Sequence, residues 1–551
     1  MKYLLHWSRE TNGIVMGTAI FLPRQSVYCT LSAVDVVPVR AMKKILSRNV
    51  KGPSMKTDKG STDNQQHFDL GLKHKYLYFR RTKIIATIGP ASSSPDMIKA
   101  LILKGLNVAR INFSHGKPEE HLRTIRTIRK ISARLRMPVA ILGDLCGPKI
   151  RVGRFRGDAV TLKTGSAVTI TVEPVIGHET LIPCQYKRLI AEVSVNDQVL
   201  LDDGNLELKV TGKAGGRVQA RVVRGGVLKN NKGMNLPDTV MKLPALTAKD
   251  RKDVTYCIRG GVDYIALSFV RKAKDITELK TLLARRNADI AVIAKIEKPE
   301  ALRNIEDIIT AADGIMIARG DLGVELPAKK IPFIQDKLIE TCIEHRKPVI
   351  VATQMLESMI EHSRPTRAEV TDVSAACISG ADAVMLSGET AAGKFPLEAL
   401  ETMDAILRET ESYRFFARGG HFRDPITHRG GGVQDAVSAA IAQLSRDLMV
   451  RCIVVETRTG RTAFVISSDR PSSPIIVLTP SERVLRRLQL LWGVVPHLIG
   501  GNRFQVDKSI AYAESFMKGQ KLAGSGDYLL MVRGIGYKKT DIQSITVHQM
   551  S

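Results

Sequence analysis

The segments VDYIALS (262–268), IAVIAKI (290–296) and DGIMIA (313–318) decide the fold, because each is a short apolar run with β-branched residues. Stretches with helical periodicity separate them. Apolar strands that alternate with helices predict a parallel sheet covered on both faces. The same pattern extends outward through TKIIATIG (82–89), NVARINF (107–113), VAILGD (139–144), PVIVAT (348–353) and ADAVMLS, which ends at Ser387.

Eight strands of this kind predict the α/β fold known as a (β/α)8 TIM barrel. Between the third and fourth strands the pattern changes to alternating segments such as AVTITVE (167–173) and GRVQARVV (216–223), with turn signals between them. This alternation predicts an inserted small β-barrel domain. After the barrel, a looser alternation of helices and strands such as CIVVET (452–457) predicts a C-terminal open α/β domain.

The chain therefore divides into four predicted parts. We expect a catalytic barrel at 80–151 and 242–412, the β-barrel insertion at 152–241 and the α/β domain at 413–551. Residues 1–79 show no strand and helix alternation, and three interpretations stay open for them. They are a disordered extension, an organellar targeting segment, or the result of a start codon placed too early.

Composition limits the partners. Lys and Arg number 82 against 55 Asp and Glu, a net charge of +27, which suits nucleic acid, a membrane surface or anionic small substrates. We expect no nucleic-acid partner, because no zinc-finger spacing or RNA-binding signature is present. No apolar run approaches the about 20 residues of a membrane span, so no membrane partner is expected. Seven scattered cysteines without a C-x-x-C pair favour a reducing, cytoplasmic location.

Polar side chains follow the barrel strands, at the end where active sites of such barrels lie. Glu297 and Asp321 follow adjacent strands, and two carboxylates can hold one Mg²⁺ together with substrate oxygens. Lys295 and Arg110 supply fixed positive charge for a transferring phosphate, and Thr353 supplies a hydroxyl that can relay a proton. The pattern predicts a site that handles phosphate and metal.

A second anion-binding pattern lies in the C-terminal domain. TRTGRTA (457–463) follows a predicted strand and opens a predicted helix, so its hydroxyls and amides form a candidate anion-binding nest. A plain helix cap with a glycine turn is the alternative. The residues of this candidate site are Thr457, Thr459, Gly460, Arg461 and Thr462.

The chain resembles the pyruvate kinase family from about residue 80 to its end. KIEKPEAL (295–302) and GIMIARGDLGVELP (314–327) are the most specific motifs that carry this resemblance. Others occur in the family's order, namely ARINFSHG (109–116), DLCGPKIRVG (144–153), NNKGMNLP (230–237), SFVRKA (268–273), ATQMLESM (352–359), RPTRAEVTDV (364–373) and MLSGETAAGKFPLEA (385–399).

The resemblance implies transfer of the phosphoryl group of phosphoenolpyruvate to ADP, giving pyruvate and ATP in the last step of glycolysis. It implies that Glu297 and Asp321 bind Mg²⁺ or Mn²⁺, and that Lys295, Arg110, Thr353 and Arg319 are the catalytic residues. It also implies that Ser268, Gly320, Asp321 and Thr353 bind substrate, and that Pro90, His115, Arg151 and Lys232 bind nucleotide.

Two positions depart from the family pattern. Asn112, Ser114, Asp144 and the carbonyl of Leu145 match the family's K⁺ pocket, but Lys149 stands where members that require K⁺ have a carboxylate. An ammonium group there replaces the charge of K⁺, so we expect K⁺ not to be required. Ala392 stands where many members have a nucleotide-contacting lysine, and Lys394 is the nearest substitute.

The resemblance further implies a homotetramer and a sugar-phosphate or AMP effector in the C-terminal domain. Two other functions stay open from the residues. One is a lyase or aldolase of the related Mg²⁺-dependent barrels, which has no need of Lys232 or of a β insertion. The other is a non-catalytic sensor or nucleic-acid binder that has kept the fold.

Overall fold

The computed structural model describes residues 77–239, 241–417, 432–500, 506–534 and 543–551. Of the predicted N-terminal extension, 1–79, residues 1–76 lie outside the described residues. The first part of the barrel comprises β1 (Lys83–Thr87), α1 (Pro95–Leu103), β2 (Val108–Asn112), α2 (Pro118–Leu135) and β3 (Ala140–Asp144). Ser94 caps α1 by accepting a hydrogen bond from the amide of Met97, as a serine before a first-turn proline is expected to do.

The insertion follows β3 and is built almost entirely of strands around one apolar core. Its hydrogen bonds form a six-stranded sheet in the order β11-β7-β8-β9-β5-β6 and a separate two-stranded pair, β10-β4. The alternating segments do form strands that each bury one face, so the β class is confirmed. The elements are β4 (Ala159–Leu162), β5 (Ala167–Thr171), β6 (Leu181–Pro183), α3 (Leu189–Glu192), β7 (Gln198–Leu201), β8 (Leu206–Ala214), β9 (Arg217–Arg224), β10 (Gly226–Lys229) and β11 (Met234–Asn235).

The chain then returns to the barrel and completes it. Short 3₁₀ turns occur at Ala328–Lys330 and Glu357–Ile360. The remaining elements of this part are α4 (Ala248–Gly260), β12 (Tyr264–Leu267), α5 (Ala273–Arg285), β13 (Ala291–Ile296), α6 (Pro299–Arg303), α7 (Ile305–Ala311), β14 (Gly314–Ala318), α8 (Arg319–Glu325), α9 (Ile331–Glu344), β15 (Val349–Ala352), α10 (Arg367–Ser379), β16 (Ala383–Leu386), α11 (Gly388–Ala391) and α12 (Pro396–Ala417).

Eight parallel strands close into a barrel in the order β1-β16-β15-β14-β13-β12-β3-β2, which confirms the predicted fold. Side chains alternate along each strand. On β13, Ile293 packs inside the barrel, whereas Val292, Ala294 and Ile296 pack outward against the helices. Lys295 therefore also points into the barrel, at the carboxyl end of its strand.

The C-terminal domain is a five-stranded sheet in the order β19-β18-β17-β20-β21. The predicted strands are present, and the edge strand β21, which the sequence pattern did not indicate, pairs antiparallel to β20. Leu490 of this domain packs into the interior of the barrel. The elements are α13 (Val433–Asp447), β17 (Cys452–Glu456), α14 (Arg461–Ser468), β18 (Ile475–Thr479), α15 (Glu482–Arg487), β19 (Val494–Leu498), α16 (Val506–Gly519), β20 (Tyr528–Gly534) and β21 (Gln543–Gln549).

The residues just before β1 link the barrel to the C-terminal domain. Phe79 stacks on Phe516 of α16 with ring centroids 6.4 Å apart, and the Tyr78 hydroxyl donates to Gln520 at 2.5 Å. In the part of the chain that the structure describes, no helix combines the length and apolarity needed to cross a membrane.

Candidate active site

Lys295 lies at the centre of a buried polar cluster at the carboxyl end of the barrel. Its Nζ lies 2.7 Å from Glu297 Oε1 and 3.5 Å from Asp144 Oδ1, and it donates to Ser268 Oγ at 2.9 Å. Burial alone would lower the pKa of Lys295, but Asp144 and Glu297 outweigh it and raise the pKa above its usual value. The ammonium group is therefore a fixed positive charge.

Asp144 connects this lysine to Arg110. It ends β3, and its Oδ2 accepts from Arg110 Nε at 2.7 Å, while the Arg110 guanidinium also donates to Thr87 Oγ1 at 2.9 Å. Burial would raise the pKa of Asp144, but Lys295 and Arg110 reverse this and hold it below its usual value. Asp144 was predicted only as part of a monovalent-cation pocket, whereas the structure makes it the shared counter-charge of two cations.

Glu297 and Asp321, the predicted metal ligands, approach each other beside Lys295. Glu297 Oε2 accepts from the amide of Phe269 at 2.8 Å. Burial first, and the nearby Asp321 carboxylate as well, raise the pKa of Glu297. Within the described ranges no group of three or more His, Cys, Asp and Glu side chains is placed to hold a metal ion. The pair fits Mg²⁺, which one or two carboxylates bind when substrate oxygens and water complete its octahedron.

Thr353 follows β15 in a strained conformation. Its φ is +70°, in the left-handed region that β-branched residues rarely adopt, and the next residue, Gln354, has φ +55°. The Thr353 hydroxyl accepts from the amide of Gly320 at 2.7 Å and donates to the Ala352 carbonyl at 2.6 Å. The Gly320 amide, predicted to bind a substrate carboxylate, is therefore paired with Thr353 in this structure.

Arg319 forms hydrogen bonds with the backbone of this strained turn. Its guanidinium donates to Asp372 at 2.6 Å and to the carbonyls of Thr353 and Gln354 at 2.9 and 3.1 Å. These contacts turn the Arg319 charge toward the protein and hold the two carbonyls after β15 in place. The predicted catalytic role of Arg319 stays a prediction.

The predicted monovalent-cation pocket lies next to Asp144. The Leu145 carbonyl accepts from Ser268 Oγ at 2.7 Å, and Asn112 Oδ1 accepts from the amide of Ser114 at 3.1 Å. Lys149 is exposed, with its Cε beside Gly233, and it lines a small pocket together with Asp321. Among the residues that the structure describes, its ammonium forms no hydrogen bond or ion pair with the pocket residues, so its predicted role stays a prediction.

Two of the predicted nucleotide residues, Arg151 and Lys232, lie on paired backbone segments, where the amide of Val152 donates to the Lys232 carbonyl at 2.9 Å. Lys232 forms an ion pair with Asp202 at 2.7 Å, and Arg151 donates to the Asn231 carbonyl at 2.9 Å. Burial and then the cations Arg151 and Lys149 lower the pKa of His115. Pro90 is exposed in the turn after β1.

Ala392 is the second position that departs from the family pattern. Two residues further along the chain, Lys394 forms an ion pair with Glu361 at 2.6 Å. Both side chains of this pair are exposed. Such an exposed pair contributes little to stability, so whether Lys394 substitutes for the family's lysine stays a prediction.

A second buried ion pair was missed by the sequence analysis. Lys298 binds Glu325 Oε1, which also accepts from Asn235 Nδ2 at 2.9 Å. Arg271, after β12, donates to the Met241 carbonyl at 2.6 Å and also to the carbonyl of Leu243, where the insertion rejoins the barrel. All of these residues lie in or beside the quoted motifs, but sequence spacing does not reveal which of them meet.

The candidate effector loop has the predicted strand, turn and helix context. Gly460, with φ +86°, precedes α14, and its amide donates to Thr457 Oγ1 at 2.9 Å. The amide of Arg461 donates to Thr459 Oγ1 at 3.5 Å. Thr462 lies in the first turn of α14. This geometry is shared by a simple helix cap and by a phosphate-binding loop.

Comparisons with known proteins agree with this geometry. The family model described as pyruvate kinase, barrel domain, matches residues 79–400, and the one described as pyruvate kinase, alpha/beta domain, matches residues 435–548. A pyruvate kinase of Geobacillus stearothermophilus is 44% identical over 484 residues, which cover 86% of this chain and 81% of that protein. A pyruvate kinase of Thermococcus litoralis is 43% identical over 463 residues, 84% of this chain and 96% of that protein.

Among solved structures, a crystal structure of a pyruvate kinase from Cryptosporidium parvum superposes with a TM-score of 0.79 at 36% identity. The match covers 85% of this chain and 96% of that one. The similarity therefore extends over barrel, insertion and C-terminal domain together.

Proposed function

Since this chain belongs to the pyruvate kinase family, we propose that it transfers the phosphoryl group of phosphoenolpyruvate to ADP, giving pyruvate and ATP. The observation that carries this proposal is the buried cluster in which Lys295 and Arg110 share the carboxylate of Asp144. Phosphoryl transfer requires little covalent work from the protein and much fixed positive charge. This cluster supplies such charge in a site shielded from water.

Lys295 and Arg110 bind the phosphoryl oxygens and neutralise the charge that builds up on them during transfer. Glu297 and Asp321 would hold Mg²⁺ or Mn²⁺, which supplies further positive charge for the phosphoryl and enolate oxygens when bound. Ser268 orients the Lys295 ammonium through its hydroxyl, 2.9 Å away. Lys295, Arg110 and Ser268 are each held by contacts within the protein, so little reorganisation of these groups is needed at the moment of reaction.

Loss of the phosphoryl group leaves the enolate of pyruvate, whose C3 carbon must gain a proton. We assign Thr353 to the delivery of that proton. Its hydroxyl proton is directed at the Ala352 carbonyl, so delivery requires rotation of the hydroxyl or an intervening water. Arg319 keeps the Thr353 backbone in its strained conformation, and the amides of Gly320 and Asp321 bind the substrate carboxylate once Thr353 releases the first of them.

The nucleotide binds between the barrel and the insertion, for which we keep the proposed limits 152–241. Lys232 contacts the phosphates of ADP, with Pro90, His115 and Arg151 around it. The ion pair of Lys232 with Asp202 is half-exposed, and such pairs contribute little to stability. Exchange of Asp202 for a nucleotide phosphate is therefore inexpensive.

We propose that turnover does not require K⁺, because Lys149 carries a positive charge on the loop that borders Asp144. Its charge acts on His115, whose pKa it lowers together with burial and Arg151. The ammonium group thus acts electrostatically on His115, the residue next to Ser114 of the proposed pocket.

The loop of Thr457, Thr459, Gly460, Arg461 and Thr462 is proposed to bind the phosphate of a sugar-phosphate or AMP effector. A homotetramer is proposed from the family, and it is supported by exposed apolar side chains such as Phe333, which is 76% exposed. A cytoplasmic location is supported by the six described cysteines, all free thiols.

A coupled assay for pyruvate tests the reaction. The full chain is supplied with phosphoenolpyruvate, with and without ADP, with and without Mg²⁺, and with and without K⁺. Pyruvate formation that requires both ADP and Mg²⁺ supports the proposal. Pyruvate formation without ADP would indicate hydrolysis of phosphoenolpyruvate instead of transfer to ADP, and no pyruvate under any condition would indicate a lyase with another substrate or a non-catalytic protein.

A further inference from the structure

Glu325 carries a buried charge that the proposed mechanism does not use. It lies at the end of α8, the helix that contains Asp321, and its side chain is only 1% exposed. Its Oε1 binds Lys298, while its Oε2 makes no hydrogen bond with any residue the structure describes. Burial of such a pair costs desolvation energy that the mutual attraction often fails to offset. Stability alone is thus a poor reason for its presence.

The third member of the cluster belongs to the insertion. Asn235 lies in β11, which pairs with β7, and Asn235 is aligned with Leu200. Its Nδ2 donates to Glu325 Oε1 at 2.9 Å. This hydrogen bond therefore crosses from the insertion to a barrel helix, and it lies three residues after Lys232, the proposed ligand of the nucleotide phosphates.

A second contact crosses at the same helix. Gly204, in the turn between β7 and β8, lies so near α8 that a Cβ atom added to it would be 3.6 Å from Val324 Cγ1. The insertion thus touches α8 at two neighbouring residues, Val324 and Glu325. Of these two contacts, only the one at Glu325 is directional.

We propose that Glu325 is a positioning residue that fixes the orientation of the insertion relative to α8 by binding Lys298 of the barrel and Asn235 of the insertion. Lys298 holds the carboxylate in place, and a fixed carboxylate is a strong acceptor for the Asn235 amide. The hydrogen bond thereby sets the separation between Lys232 and Asp321, the two groups that must meet ADP and its metal ion together. This inference rests on the proposed function.

The test compares Asn235→Ala with Asn230→Ala. Asn230 lies in the same insertion, but it donates to Asp158 at 2.7 Å and accepts from the amide of Phe155 at 2.6 Å, so its hydrogen bonds stay inside the insertion. We expect Asn235→Ala to raise KM for ADP about tenfold, the size of effect that one charge-assisted hydrogen bond supplies. We expect KM for phosphoenolpyruvate to change less than about twofold, and both constants to stay within about twofold in Asn230→Ala.

Hydrogen exchange of the full-length chain gives a readout that needs no activity. We expect faster amide exchange in residues 232–236 and 320–325 of Asn235→Ala, and wild-type exchange there in Asn230→Ala. A double variant, Lys298→Met with Glu325→Gln, removes both buried charges without leaving either unpaired, and it should show the same rise in KM for ADP as Asn235→Ala.

Equal behaviour of Asn235→Ala and Asn230→Ala in exchange would overturn the inference. The inference would also be overturned if Asn235→Ala lost activity only in proportion to the loss of folded protein, with unchanged KM for ADP and for phosphoenolpyruvate. If the wild-type chain forms no pyruvate, the proposed function fails, whereas the exchange comparison still decides whether Glu325 orients the insertion.

Discussion

Replacement of Asp144 by Asn should destabilise the barrel and disable the site together. Asp144 is buried and lies 2.7 Å from Arg110 and 3.5 Å from Lys295. At an effective dielectric constant of about 20, unit charges at these distances attract by about 6 and about 5 kcal/mol before desolvation is counted. Removal of one partner from a buried pair costs about 3–5 kcal/mol, and we expect the lower end because Asn keeps an acceptor for Arg110.

The loss is measured by urea unfolding and by steady-state kinetics. A cost of about 3 kcal/mol lowers the urea midpoint by about 1 M if the slope is about 3 kcal/mol per M. The same energy lost from transition-state binding lowers kcat/KM for phosphoenolpyruvate about 100-fold.

Asp253→Asn is the matched control for Asp144→Asn. Asp253 is also buried, but its partner Lys249 is 53% exposed and retains water as a partner when the charge is removed. We expect its unfolding midpoint to fall by far less than that of Asp144→Asn. If Asp144→Asn matched this control in midpoint and kept wild-type kcat/KM, the role of Asp144 as the shared counter-charge would be refuted.

Three further predictions concern Lys83, Lys149 and Thr459. Burial lowers the pKa of Lys83 from its ordinary 10.5 to about 7, so the unfolded chain binds the extra proton between these values. The contribution of Lys83 to the free energy of unfolding should therefore increase between pH 7 and about pH 10. Urea unfolding at several pH values should show this increase in the wild-type chain and not in Lys83→Met. Lys149→Glu should make turnover dependent on K⁺, and unchanged turnover in K⁺-free tetramethylammonium buffer would contradict this. Thr459→Val should abolish stimulation by AMP or a sugar phosphate while basal turnover persists, and retained stimulation would exclude this loop.

Much of the barrel could be predicted because its signals are local. A strand such as β13 is identified by its apolar run, and the alternation along it shows that Lys295 points inward with Ile293. Residues at the carboxyl ends of parallel strands must then meet. The grouping of Lys295, Arg110, Glu297 and Asp321 follows from this rule without knowledge of any contact.

What the sequence did not predict depends on contacts between distant residues. Periodicity shows that Arg319 follows β14. It does not show that the Arg319 guanidinium donates hydrogen bonds to Asp372 and to two carbonyls after β15. It shows that Glu325 ends a motif, but not that Asn235, 90 residues earlier, binds it. The same limit applies to the insertion, where alternation identified strands but not their division into two sheets, and to the edge strand β21.

The central claim is that fixed positive charge at Lys295 meets the transferring phosphoryl group. Pyruvate formation from phosphoenolpyruvate, ADP and Mg²⁺ by Lys295→Met, in a preparation with wild-type near-ultraviolet circular dichroism, tests it most directly. We expect kcat to fall about 1000-fold, because a preorganised electrostatic group is removed. A folded Lys295→Met protein that forms pyruvate at the wild-type rate would contradict the account.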